Sequence, residues 1–183
     1  MFAALAALAV VACSDDSSGA SRGSGDGATT TKAEMSAPLP PTGGLPIVEQ
    51  IAPAIAALEA ELGGPQQYFE INATSQLVNL WVSLNDGAVA QPWVYLAGEL
   101  SSDEGRPGAT GFTFTAAQVD FDPAVVMSEV AEQLPMATLD SFHVFGAKGG
   151  DVVYHLLVTS DKGGALEVAV GADGAVLSVD PVN

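Results

Sequence analysis

The side chains best suited to recognition chemistry in this sequence are four aromatics, Tyr68, Trp81, Trp93 and Tyr95, interleaved with the amides Asn72, Asn79 and Gln91. Such rings bury a large area at little entropic cost, and an exposed cluster of them is a common means of holding a partner. Strict alternation puts all four on one face of a sheet. If Val78, Leu80, Val82 and Leu84 enter the core, then Asn79, Trp81 and Ser83 leave it. The same parity sends Gln91, Trp93 and Tyr95 outward, with Tyr68, Glu70 and Asn72 beside them. A second reading stays open, in which Trp81 and Trp93 flank a small subsidiary core beneath the loop Ser101 to Gly108.

The two histidines are the other candidates. A hairpin centred on Gly149 sets His143 opposite His155, and two imidazoles across a ladder could hold a cation or titrate near neutrality. Two ligands make a poor metal site, so solvated sheet histidines are the expectation and no metal is assigned. No serine sits between closely spaced glycines at a strand-to-helix turn, and the glycine-rich turns lie between strands, where no helix N-terminus waits for phosphate. Neither an enzyme nor a cofactor is expected.

Charge narrows the partners. The chain of 183 residues has a formal net charge of −17, from five Lys and Arg against 22 Asp and Glu. Its field repels nucleic acid and anionic headgroups, which leaves a protein, or a hydrophobic ligand, as the expected partner of a monomer.

The address is written in the first 44 residues. Residues 1–12, MFAALAALAVVA, form an apolar run too short to cross a bilayer and shaped like a signal-peptide core. Val10-Val11-Ala12-Cys13 resembles the lipobox of bacterial lipoproteins, with Val where Leu is commonest. The resemblance implies cleavage before Cys13, acylation of that residue by chains such as palmitate, and a lipid-anchored domain on the extracytoplasmic face of the cell membrane. A basic segment is missing before Phe2, which points to a start further upstream. Residues 13–44, rich in Ser, Gly, Thr, Ala and Pro, cannot offset their ordering entropy and read as a disordered tether.

The elements that must position the aromatics follow. Ile47, Ile51, Ile55, Leu58 and Leu62 give one face of a helix, with Pro53 marking either a kink or the start of a second helix, and Gly63-Gly64-Pro65 ending it. Strands are predicted over Tyr68 to Asn72, Leu77 to Leu84, Val89 to Leu100 and Thr110 to Val119, with Ser101 to Gly108 exposed. Asp122-Pro123 starts a second helix that runs through Val126, Val130 and Leu134 to Pro135. Asp140 to Gly146 and a meander over Val152 to Val179 complete the chain, with alternating apolar residues and turns at Ser160-Asp161-Lys162-Gly163-Gly164 and Gly171-Ala172-Asp173-Gly174.

Element order repeats as helix then four strands, in units of 45–119 and 120–183. This predicts an α+β fold in which two helix-plus-four-strand repeats form one antiparallel sheet of about eight strands, both helices on one face. Leu166-Glu167-Val168-Ala169-Val170-Gly171-Ala172-Asp173-Gly174-Ala175-Val176-Leu177 resembles the closing hairpin of the PepSY domain, best in the second unit. The doubled arrangement is similar to β-lactamase-inhibitor-protein-like modules. That resemblance implies a non-enzymatic envelope or secreted protein that binds other proteins through its open sheet face. The alternative is a carrier enclosing a lipid or other hydrophobic ligand.

Overall fold

A computed structural model of the chain describes residues 44–160 and 163–182. The signal-like run, Cys13, the tether up to residue 43 and the Asp161-Lys162 part of one turn lie outside the described residues. No described helix is long and apolar enough to cross a membrane.

After a 3-10 turn at Val48–Gln50, helix α1 spans Ile51–Leu62. It begins late enough that Pro53 falls in the first turn, where a missing N–H costs nothing, so no kink is needed. Ile51, Ala54, Ile55 and Leu58 are buried at helical spacing. Gly63 closes the helix with φ 79°, its N–H donating to the Glu59 carbonyl. Helix α2, Pro123–Gln133, starts where Asp122 accepts from the N–H groups of Ala124 and Val125, and it buries Val126 and Val130.

The strands are β1 Gln67–Ala73, β2 Val78–Leu84, β3 Val89–Leu96, β4 Glu99–Ser102, β5 Arg106–Pro107, β6 Phe114–Thr115, β7 Ala137–Gly146, β8 Val152–Ser160, β9 Ala165–Val170 and β10 Val176–Pro181. They form one sheet in the order β10-β9-β8-β7-β1-β2-β3-β4, with β5 paired to β3 and β6 to β1, every pair antiparallel. One face carries the core. Ile71, Leu80, Val82, Phe142, Val144, Leu156 and Val168 are all fully buried there with Leu58 of α1 and Val126 of α2, each side chain contributing about 1.5–3 kcal/mol by its removal from water.

This corrects the predicted α+β arrangement of two helix-plus-four-strand repeats. The described residues are predominantly β, a single sheet of ten strands with two short helices. The difference arises in the middle of the chain. Val89 to Leu100, which reads as one strand, is folded back on itself at Ala97 and Gly98, both at positive φ, so that β4 pairs with β3. Segment 106–115 then adds β5 and β6, which the sequence marks only as loop and one long strand. Pairing of β1 with β7 makes the sheet and its core continuous, so the described residues are not divided into two separately covered repeats.

Candidate functional site

No described helix packs on the other face of the sheet, and two rows of side chains cross it. In β7, Phe142 and Val144 enter the core, which turns Ser141, His143 and Phe145 to the helix-free side. In β1, Ile71 and Ala73 are buried and Glu70 and Asn72 turn outward. Register then aligns Asn79 of β2, Asn72, His143, His155 of β8 and Ala169 of β9 in one row. Trp81, Glu70, Phe145 and Val153 form the adjacent row. His143 and His155 are cross-strand partners, as the hairpin about Gly149 predicts.

Hydrogen bonds run along these rows. The Asn79 amide donates to Asn72 Oδ1 at 2.8 Å, the Asn72 amide donates to Glu70 Oε1 at 2.9 Å, and His143 Nδ1 lies 2.9 Å from the same carboxylate oxygen. Ser141 Oγ lies 2.7 Å from His143 Nε2. An ionised carboxylate can only accept, so the neutral imidazole must carry its proton on Nδ1. Nε2 is then the acceptor of the Ser141 hydroxyl proton. Burial alone disfavours the charged form of Glu70, but bonds from His143 and Asn72 and the nearby imidazole outweigh it and hold the carboxyl below the ordinary carboxylate range. The result is a Glu70–His143–Ser141 relay in which the side chains of Glu70 and His143 are 26% and 21% exposed.

His155 is held in the same way, with Nδ1 2.6 Å from Glu167 Oε1 of β9. Phe145 lies against both imidazoles, with centroids 5.5 Å from His143 in a stacked pair and 5.7 Å from His155 edge-on. The face is acidic. Glu70 and Glu167 are joined by Asp180, the register partner of Glu167, and by Asp140, which accepts a short bond from Thr159 while its Oδ1 is buried without a partner among the described residues. Arg106 and Lys148 are the only Lys or Arg side chains among the described residues. Arg106, brought by β5 onto the face opposite Ala90, lies over the Trp81 ring at 5.6 Å.

Of the four aromatics singled out in the sequence, Trp81 stands on this face, partly exposed. Trp93 and Tyr95 do not. Their register partners are the fully buried Leu80 and Val78, and both rings pack against the core on the helical side, with Trp93 Nε1 buried and unpartnered among the described residues. Tyr68 is also on the core side, fully buried, 5.9 Å from the Phe114 ring and with its hydroxyl donating to Glu59 Oε1 at 3.3 Å. A bulge at Phe69 advances the parity by one residue, so Tyr68 faces inward although Glu70 faces out. Burial, followed by the charge and hydrogen bond of Glu59, pushes the Tyr68 phenol far above its ordinary range.

No protein-family model matches the chain, and neither a curated protein nor a solved structure matches it.

The residues that sequence reasoning passed over are Ser141 and Glu167, and Glu70, although placed on the open face, was not linked to His143. Alternation around Phe142 and Val144 is enough to put Ser141 beside His143. Glu70, however, reaches the imidazole only through pairing of strands 73 residues apart, and no local pattern announces that. Among the described residues no group of three or more His, Cys, Asp and Glu side chains is arranged to hold a metal.

Proposed function

We propose that the chain is a lipid-anchored, extracytoplasmic binding module that docks a protein partner through the helix-free face of its sheet. The observation that supports this reading is the pair of ordered rows, in which Trp81, Phe145, His143 and His155 are held partly exposed by hydrogen bonds and ring contacts. Preorganised aromatics and imidazoles bind at a smaller entropic cost than mobile ones. Charge selects the partner, because Glu70, Asp140, Glu167 and Asp180 on one face fit a surface bearing Lys or Arg. Cys13 in its lipobox-like setting, followed by the Ser- and Gly-rich tether, supports attachment to a membrane by acyl chains.

The carrier reading has two apolar clefts behind it, one of about 260 Å³ between α1 and segment 116–123 lined by Ile51, Ile55, Val119 and Phe121, and one of about 380 Å³ lined by Leu45, Ile47, Pro123 and Met127. Both are open to solvent rather than enclosed, and neither would bury most of a lipid, so docking is the better-supported reading.

The test is a titration of the isotope-labelled domain with a lysine-rich peptide, followed by amide shifts. Perturbations are expected over β1, β7, β8 and β9 at residues of the helix-free face, fading as salt is raised. Shifts confined to α1 and segment 116–123 would refute docking on this face.

A further inference from the structure

Beyond docking, we propose that Ser141 is an activated nucleophile that accepts acyl groups from small, uncharged carboxylic esters, with His143 as its general base. The geometry carries this. Ser141 Oγ and His143 Nε2 are 2.7 Å apart, and His143 Nδ1 is 2.9 Å from Glu70 Oε1, so nucleophile, base and orienting carboxylate stand in sequence within hydrogen-bond reach. Because Glu70 fixes the proton on Nδ1, the basic lone pair of His143 points at the serine. Asn72, itself held by Asn79, and the stacked Phe145 ring hold this arrangement. The same roles recur on unrelated folds and are recognised by geometry rather than by a sequence motif.

In the step proposed, the Ser141 hydroxyl proton passes to His143 Nε2 as Oγ bonds to the ester carbonyl carbon. The carbon–oxygen bond to the alcohol then breaks, and the alcohol leaves with the proton from His143. Water reverses the sequence: its proton goes to His143, the carboxylic acid departs, and Oγ recovers the proton. Ser141 is only 7% exposed and lies opposite Leu157 in the ladder, which limits it to small acyl groups and gives their apolar part a neighbour. The acidic face disfavours substrates bearing a carboxylate or phosphate.

The experiment treats the folded chain with a fluorophosphonate, which bonds phosphorus to the serine oxygen as fluoride leaves, and with p-nitrophenyl acetate, and locates the adduct by peptide mass spectrometry. Wild type is expected to be modified at Ser141, the adduct to vanish in S141A, and the rate to fall at least about 100-fold in H143Q, the lower range of general-base contributions. E70Q should slow labelling less, and it supplies the comparison if H143Q fails to fold. Wild-type protein without an adduct at Ser141, modification of exposed Ser101 and Ser178 at the same rate as Ser141, or a Ser141 rate that neither His143 nor Glu70 alters would overturn the proposal.

Discussion

Trp81 and Trp93 lie on opposite faces of the same sheet. Trp81 pairs with Pro92, so the next residue of β3, Trp93, must share the face of its own partner, the fully buried Leu80. One indole therefore contributes to a surface and the other to a core, although both belong to one hairpin. This separation explains why Trp81 meets the Arg106 guanidinium while Trp93 packs inward with its N–H unpartnered among the described residues.

Substitution should separate the two roles. Trp93→Ala is expected to cost about 2–4 kcal/mol, near the range for deleting a buried ring. Trp81→Ala should cost under about 1 kcal/mol, much of it the lost cation–π contact. Trp93→Phe should cost much less than Trp93→Ala, because the void left by the smaller ring is offset by removing a buried donor whose desolvation costs about 1–3 kcal/mol. Urea unfolding measures all three, and equal losses at Trp81 and Trp93 would contradict the assigned faces.

Glu70 ties stability to acid. Its carboxyl is held below the ordinary value of 4.5 in the folded chain, so the unfolded chain takes up its proton first as pH falls. The stabilisation is complete above that ordinary value and disappears as pH drops through the folded one. Glu70→Gln should therefore be less stable than wild type at pH 7, and the gap should narrow steadily below pH 4.5. A gap that stayed constant across that window in paired urea titrations would mean that the His143 and Asn72 bonds do not favour the ionised form.

Gly174 is where the β9–β10 turn packs closest against α2. It adopts φ +84°, and an added Cβ would lie 2.9 Å from Val126 Cα and 2.7 Å from Glu129 Cβ. Gly174→Ala thus meets both an unfavourable backbone conformation and helix atoms that cannot retreat without moving the buried Val126. A loss of about 2 kcal/mol or more is expected. Gly163→Ala, also at positive φ but with open space around it, should lose less, by the margin that packing adds. Thermal unfolding of the two variants compares them directly.

Most elements followed local rules and are legible in the sequence, with β4, β5 and β6 the exceptions. Asp122-Pro123 starts α2 because a carboxylate and a pre-set φ satisfy a first turn, and Gly63 ends α1 because it tolerates positive φ. Alternation in β8 and β9 exposed their buried faces, and the Gly149 turn put His143 opposite His155. Faces failed where alternation was interrupted or uninformative. The bulge at Phe69 reversed Tyr68, and β3, partly buried along nearly its whole length, carries no periodic signal from which to tell the side of Trp93. Pairing of β1 with β7, which makes the ten strands one sheet, depends on free energy gained between distant segments. That non-local gain alone brought Glu70 to His143, and so turned a serine and a histidine two residues apart into a relay.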